Sequence, residues 1–147
     1  MFLLDTNVVS ERRKGAKANP GVVDFIERTE QQFFLPVQVV GELGQGIEKL
    51  KQKGDQPQAQ RLESWFQSVL ADYGLRTLDF DLQCAKTWGT LMGRNDQHIV
   101  DKQIAAIALV YDLTVVTRNT DDFAGTGVRL FNPFLGHSSS TPEVEIQ

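Results

Sequence analysis

Short apolar segments alternate with longer amphipathic ones through most of this chain of 147 residues. The strand-like runs are FLLD (2–5), QFFLP (32–36), RTLDF (76–80), LTVVT (113–117) and VRLFNPF (128–134). Apolar residues at helical spacing fill the stretches between them. Because parallel strands need crossover connections, usually helical, this alternation predicts an α/β fold. We expect three layers, with a central, mainly parallel, twisted sheet of four to five strands flanked by helices.

Local signals mark several helix boundaries. Asn19 is a candidate N-cap before Pro20, and Asp81 can cap the segment LQCAKTWGTLMG. Two long amphipathic segments, 37–54 and 58–74, predict a protruding helical hairpin. Its residues Trp65 and Phe66 can serve the core, a homodimer contact or a partner interface. After residue 135 the apolar pattern stops, so we expect one domain over 1–135 and a flexible tail over 136–147.

Composition limits the class of protein. A 41% hydrophobic chain of this length can build a core without staples, and its one cysteine, Cys84, excludes an intrachain disulfide and is expected to be a buried structural thiol. We expect a cytoplasmic protein, since Met1 leads directly into a strand and no apolar run approaches the roughly 20 residues of a membrane span. The net charge of −4 is unlike that of a general nucleic-acid binder, although two bound divalent cations would neutralise it.

Acidic residues cluster at predicted strand ends, where open α/β sheets bind their ligands. Asp5 ends the first strand, and Asp121 and Asp122 follow LTVVT. Glu42 lies in the first turns of the helix after the second strand, and Asp101 starts the alanine-rich helix before LTVVT. Four distant segments can therefore each bring a carboxylate to one edge of the sheet.

Like charges brought together raise one another's pKa, so a cluster that stays ionised needs cations. Carboxylate ligands without paired histidines favour Mg²⁺ or Mn²⁺ over zinc. The two histidines, His98 and His137, lack metal-ligand spacing and are expected at the surface. His98 lies close to Asp101 in sequence and could therefore contact a substrate bound at the site.

Each acid also has a structural interpretation. Asp5 and Asp101 are suitable helix caps, and Asp121 and Asp122 lie in a sequence typical of turns. Glu42 is harder to explain in this way, because it lies beside an apolar stripe where an unpaired carboxylate is costly. A joint metal site accounts for their shared location.

Five segments together resemble the PIN-domain ribonucleases, in particular the VapC-type toxins of bacterial toxin-antitoxin pairs. These segments, in the expected order and spacing, are LLDTNVVSE (3–11), VVGELGQGI (39–47), DKQIAAIAL (101–109), LTVVTRNTDDF (113–123) and FNPF (131–134). The resemblance spans residues 2 to about 134 and implies the PIN-like three-layer fold.

By position, the resemblance implies that Asp5, Glu42 and Asp101 are three acids of a metal site. The fourth position falls in the T-x-N-x-x-D-F stretch; Asp122 is favoured, Asn119 is a nearby polar group, and Asp121 is the least favoured. Thr6 and Asn7 match the polar pair that orients the first acid.

The activity implied is Mg²⁺- or Mn²⁺-dependent hydrolysis of RNA, with a metal-activated water as nucleophile. Without a histidine pair, attack by the 2′-hydroxyl is not expected. Partners implied are a small VapB-like antitoxin and a second copy of the chain. The basic residues expected to contact RNA are Arg12, Arg13, Lys14, Lys17, Arg94, Lys102 and Arg118.

Two alternatives remain open. One is a non-catalytic nucleic-acid-binding module with the same fold, although no acid of the pattern is missing. The other is a phosphatase or phospho-acceptor with Asp5 as nucleophile. Such phosphatases use a second aspartate two residues later, where this chain has Asn7.

Overall fold

A single sheet forms the centre of the molecule. The computed structural model describes residues 1–29 and 32–136 and the backbone of Glu145–Ile146. Within these residues the strands are β1 (Phe2–Leu4), β2 (Phe33–Pro36), β3 (Thr77–Leu78), β4 (Thr114–Val116), β5 (Arg129–Phe131) and β6 (Glu145–Ile146). Their order is β3-β2-β1-β4-β5-β6. The first five are parallel, and β6 pairs antiparallel with β5.

Helices make the connections between the parallel strands. They are α1 (Thr6–Arg12), α2 (Pro20–Arg28), α3 (Val37–Gln52), α4 (Gln56–Tyr73), α5 (Leu82–Arg94) and α6 (Ile99–Tyr111). Short 3-10 turns lie at Gly15–Lys17, Gly74–Arg76, Thr120–Phe123 and Pro133–Leu135. The predicted α/β class and mainly parallel sheet are confirmed.

Successive residues of the central strands face opposite sides of the sheet, as the pleat requires. Leu3 and Val115 pack into one core cluster, which includes Ile104 and Ile107 of α6 and Cys84 of α5. Their neighbours on the same strands contribute to the other cluster: Leu4 and Val116 lie with residues of α1 to α4. Helices cover both faces of the sheet, which gives the three-layer arrangement. The central strands are therefore apolar throughout.

The predicted helical hairpin consists of α3 and α4. Gly54 makes the turn between them with φ +81°, a conformation that favours glycine, and the Asp55 carboxylate caps α4 by accepting from the Gln58 N–H at 3.2 Å. Trp65 and Phe66 are half-buried and pack against the core cluster on this side of the sheet.

Three boundaries differ from the predictions. The segment after Asp5 forms α1, because the Asp5 side chain caps it. Helix α6 begins at Ile99, so Asp101 lies in its first turn and not at its start. The strand expected over 76–80 is limited to Thr77–Leu78, because the chain turns away to begin α5 after the Asp81 cap.

The end of the chain returns to the sheet through Glu145–Ile146. The rest of the predicted flexible tail, including His137, lies outside the described residues apart from Gly136. Among the helices that the structure describes, none combines the length and hydropathy needed to cross a bilayer.

Candidate active site

The strand order identifies the edge of the sheet at which a ligand is expected to bind. From β1 the chain builds outward to β2 and β3 on one side, whereas β4 and β5 lie on the other. Such a switch opens a crevice beyond the carboxyl ends of the two central strands. Asp5 follows β1, and Thr117, Arg118 and Asn119 follow β4. The Asp5 N–H donates to the Val116 carbonyl at 3.0 Å, which joins the two strand ends.

Asp5 is buried, with 6% of its surface exposed, and three donors hold its carboxylate. Oδ1 accepts the Thr6 N–H at 2.8 Å and thereby caps α1. Oδ2 accepts from the Thr117 hydroxyl at 2.8 Å and from Asn7 Nδ2 at 3.2 Å. Burial raises the pKa of Asp5 above its ordinary value, while these hydrogen bonds oppose that rise.

Thr117 and Asn7 also organise the loop after β4. The Thr117 hydroxyl oxygen accepts the Asn119 N–H at 3.0 Å, and Asn7 Oδ1 accepts the Arg118 N–H at 2.9 Å. Thr117 is fully buried. It lies in the motif T-x-N-x-x-D-F, but the sequence did not indicate its contact with Asp5, because the two residues lie 112 positions apart.

Glu42 faces the crevice from the second turn of α3. It is half-buried, and its pKa is raised first by desolvation and then by the negative charge of Asp5, with the Thr6 side chain opposing. Asp5 and Glu42 are therefore close enough to repel each other, although 37 residues separate them in sequence.

Asp101 and Asp122 complete the group of acids. Burial raises the pKa of Asp101 to about 6, with further contributions from the charges of Asp5, Asp122 and Glu42 and an opposing one from His98. Asp122 in turn contributes to the raised pKa of Asp5. The structure thus brings together the four acids that the resemblance favoured, from the end of β1, from α3, from α6 and from the turn after β4.

His98 lies between two of these acids. Its Nδ1 is 3.7 Å from Asp101 Oδ2 and 3.8 Å from Asp122 Oδ1. One candidate ligand atom from each of the three residues falls within 4.8 Å of the others. Sequence reasoning treated His98 as a surface residue near Asp101, since a single histidine three positions before an acid shows no metal-ligand pattern. It is indeed exposed, but it belongs to the cluster.

Asp122 and its neighbours Asp121 and Asn119 differ in their exposure and contacts. Asp121 is exposed, whereas Asp122 is half-buried and turned toward His98. Asn119 is exposed and is tied to Thr117 through its backbone. This arrangement favours Asp122 over Asp121 as the fourth acid.

The donor set suits a hard divalent ion. Four carboxylates converge, and in the described part of the chain no lysine or arginine forms an ion pair with any of them. Oxygen-rich sites of this kind favour Mg²⁺ and Mn²⁺. Carboxylates with raised pKa values and little cationic compensation are the chemistry that such an ion would stabilise.

Basic residues at the end of α1 rest on aromatic rings of α4. The Arg12 guanidinium lies 5.6 Å from the centroid of the Tyr73 ring and donates to its hydroxyl, and that of Arg13 lies 6.0 Å from the Trp65 ring. Both arginines keep exposed surface. Trp65 therefore packs inward and also supports a cation.

The remaining basic candidates differ in their surroundings. Lys17 and Arg94 are exposed. Lys14 and Arg118 both pair with the buried carboxylate of Glu11, at 2.7 and 3.6 Å, and Arg118 also lies 4.1 Å from the centroid of the Phe134 ring. Lys102 is buried, with its ammonium bonded to the loop that precedes α6. Glu11, which organises two of these cations, was not identified from the sequence.

The fold and site define an α/β protein with a carboxylate cluster at its strand-order switch. The family model of the PIN domain matches residues 2–128, and the chain belongs to this family. The resemblance seen in the sequence is thereby confirmed.

Relatives cover nearly the whole chain. It is 34% identical to plasmid stability protein StbB of Pseudomonas syringae pv. tomato, 33% to toxin FitB of Neisseria gonorrhoeae and 30% to VapC ribonuclease Y4jK of Sinorhizobium fredii. Each match covers 91% of this chain and at least 98% of the relative. The crystal structure of FitAcB from Neisseria gonorrhoeae aligns with a TM-score of 0.75 at 33% identity, over 92% of this chain and 99% of that one.

Proposed function

We propose that this chain is a divalent-metal-dependent endoribonuclease and the toxin of a toxin-antitoxin pair. The observation that carries the proposal is the gathering of Asp5, Glu42, Asp101 and Asp122 at the ligand-binding edge of the sheet. Support comes from PIN-family membership and from the relatives, which include a protein named as a toxin and one named as a ribonuclease.

In this proposal Asp5 and Asp101 would hold the principal ion, and Glu42 and Asp122 would complete its surroundings. An Mg²⁺ or Mn²⁺ ion held there would supply activation of a water for attack on the phosphodiester and stabilisation of the leaving oxygen. The chain's own residues fix the acids. Thr117 and Asn7 keep the Asp5 carboxylate in one orientation, and Asn7 also binds the backbone of the loop that carries Asp122.

RNA binding falls to the exposed cations near this edge. Arg12 and Arg13 are preorganised by their contacts with Tyr73 and Trp65, so little side-chain freedom is lost when they meet phosphates. Arg118 follows directly on Thr117, and Glu11 and Phe134 hold its guanidinium. These positions suit contacts with the backbone of a single strand, which is how proteins fix register without reading sequence.

The phosphatase alternative is disfavoured by the surroundings of Asp5. Both of its oxygens already accept hydrogen bonds from Thr6, Asn7 or Thr117, and such bonds stabilise the carboxylate and weaken it as a nucleophile. The non-catalytic alternative has no particular observation in its favour, since all four acids converge.

The proposed partners are a small antitoxin that covers this edge and a second copy of the chain. Co-expression with a candidate antitoxin, followed by light scattering, tests both. A toxin that stays monomeric and harmful in its presence would contradict the partner proposal.

The decisive experiment compares Asp5→Asn with the wild type. Asparagine keeps the shape and the capping oxygen but removes the charge, so the fold should persist. We expect metal-dependent RNA cleavage and growth inhibition to be lost, with an unchanged circular dichroism spectrum. Asp72→Asn, an exposed acid on α4, is the control for charge. A substrate with deoxyribose at the scissile nucleotide should still be cut; cleavage by Asp5→Asn at the wild-type rate would overturn the proposal.

A further inference from the structure

The loop between α5 and α6 is held by one buried side chain. Lys102 follows Asp101, is 6% exposed, and turns its ammonium into the loop. The Nζ group donates to the Asn95 carbonyl, to Asn95 Oδ1 at 3.1 Å and to the Gln97 carbonyl at 2.6 Å. An ammonium has three donors, and each has an acceptor from this loop. Because a buried, unpaired ammonium would be strongly unfavourable, the position of Lys102 specifies the shape of residues 95–97.

That shape determines where His98 lies. Its backbone is left-handed, with φ 56° and ψ 55°, a conformation uncommon for residues other than glycine that persists where the surroundings enforce it. The His98 carbonyl accepts the Lys102 N–H at 2.9 Å, and the next carbonyl, that of Ile99, accepts from Trp88 Nε1 at 3.2 Å. The chain is thus fixed on both sides of His98.

The enforced turn points the imidazole into the acid cluster. His98 Nδ1 is 3.7 Å from Asp101 Oδ2 and 3.8 Å from Asp122 Oδ1. Two acids proposed to hold the metal therefore share a neighbour that can also donate an electron pair. No other histidine in the described residues is available to do so, since His137 lies outside them.

We infer that His98 supplies an imidazole nitrogen to the metal site and that Lys102 is the positioning residue that holds it there. The inference rests on the metal site of the proposed function and goes further, because it concerns which ion that site prefers. Mg²⁺ favours a shell of oxygen atoms, whereas imidazole adds affinity for first-row transition ions. The site is therefore tuned toward Mn²⁺ relative to Mg²⁺.

Binding of Mn²⁺ to the intact chain tests this inference without relying on activity. The affinities for Mn²⁺ and, by competition, for Mg²⁺ are measured by electron paramagnetic resonance for the wild type and for His98→Asn. Asparagine tolerates the left-handed backbone and offers an amide oxygen in place of the nitrogen. We expect Mn²⁺ affinity to fall by about tenfold or more, a loss comparable to that of removing a group around a metal ligand, while Mg²⁺ affinity changes much less.

A spectroscopic signature identifies the nitrogen directly. Electron spin-echo modulation of bound Mn²⁺ should show a coupled imidazole ¹⁴N in the wild type and lose it in His98→Asn. His98→Gly, which also permits the positive φ, should give the same loss. A wild type without the nitrogen signal, or a His98→Asn protein that retains it, would overturn the inference.

The design separates this inference from the proposed function. If the wild type binds neither ion, or if Asp5→Asn leaves both affinities unchanged, the proposed metal site itself fails. If Asp5→Asn abolishes binding but His98→Asn leaves the ratio of Mn²⁺ to Mg²⁺ affinity unchanged, only the role of His98 is wrong.

Lys102→Met tests the positioning role. Methionine retains most of the buried apolar stem but cannot bind the loop oxygens. At a temperature well below its Tm, this variant should show faster hydrogen exchange at residues 95–98 and a shift of the ion preference in the same direction as His98→Asn. Lower thermal stability with an unchanged ion preference would show that Lys102 is only structural.

Discussion

The carboxylate of Asp5 illustrates how one residue can satisfy two interpretations. Its Oδ1 caps α1, which is the structural interpretation, and its Oδ2 is oriented by Thr117 and Asn7 beside the other acids. The two are compatible because a carboxylate has two oxygens, each with two acceptor sites. A cap that holds one oxygen fixes the direction of the other, so capping preorganises the candidate metal ligand.

Neighbouring acids after β4 provide a matched pair of variants. Asp122 is half-buried and turned toward His98, whereas Asp121 is exposed. We expect Asp122→Asn to lower metal-dependent RNA cleavage by at least about tenfold to a hundredfold, as the loss of groups around a metal does, and Asp121→Asn to have little effect. Initial cleavage rates at matched metal concentration measure this. A larger loss for Asp121→Asn than for Asp122→Asn would show that Asp122 is not the fourth acid.

At the scale of elements, burial periodicity determined what could be predicted. The segment LTVVT could be identified as a strand because β4 is buried on both faces. Helices α3 and α4 could be identified because their apolar stripes are long. Helix α1 was missed because its seven residues carry few apolar positions and its cap is also a site acid. The contacts of Thr117 with Asp5 and of Glu11 with Arg118 could not be predicted, because they join the start of the chain to the segment after β4. The contacts of Lys102 are with the loop just before α6, whose shape the sequence did not specify.

The contact of α1 with α4 gives a prediction about RNA binding. Arg12 and Arg13 stack on Tyr73 and Trp65 and keep exposed surface for phosphates. If each contacts one phosphate, replacing both by alanine should reduce the slope of log Kd against log salt by about 1.4, since each contact on a single strand contributes roughly 0.7. Fluorescence anisotropy with a non-cleavable RNA across a salt series measures the slope.

A charge-matched control is available at the far end of the hairpin. Replacing Lys51 and Lys53, which are exposed near the turn between α3 and α4, removes the same charge without touching the stacked arginines. The slope of this double variant should remain close to that of the wild type. Equal slopes for the two double variants would show that the arginines act only through the overall charge of the protein and do not contact phosphates directly.

For the whole molecule, topology accounts for the site. The sheet order places the ends of β1 and β4 side by side, and the crossovers carry α3 and α6 past the same edge. Four acids that lie up to 117 residues apart in the chain therefore meet. The fold holds like charges together against their repulsion, and core burial on both sides of the sheet must compensate for it.

This arrangement predicts an unusual pH dependence for the metal-free protein. The pKa values of Asp5 and Glu42 are raised in the folded state, and that of Asp101 is raised to about 6 from an ordinary 3.8. Between about pH 4 and 6 the folded protein then binds more protons at Asp101 than the unfolded chain does, and Asp5 and Glu42 act in the same direction. Their contribution to the free energy of unfolding is full below about pH 4 and falls as the pH rises through this window.

Other carboxylates act in the opposite direction at lower pH. The pKa of Glu11 is lowered by Lys14, and that of Asp81 is lowered to about 2 by the Tyr111 hydroxyl. Their contributions are present above the ordinary pKa values and are lost as the pH falls through the lowered ones. Glu11 and Asp81 therefore lower the stability of the protein only at acidic pH, on the other side of the window in which Asp101 acts.

Thermal denaturation in EDTA should accordingly show a Tm that decreases from pH 4.5 to 7. Asp101→Asn removes the acid whose pKa is raised to about 6, so the Tm of this variant should be higher than that of the wild type at pH 7 and should depend less on pH. Mn²⁺ at a hundred times its Kd should add about 2.7 kcal/mol to the wild type at pH 7, a rise of roughly 5–10 °C in Tm for a chain of this size. The ion should add much less to Asp101→Asn. A Tm that increases steadily from pH 4.5 to 7 without metal would mean that the acids do not repel one another as their positions imply, and the electrostatic reason for a cation at this edge would be lost.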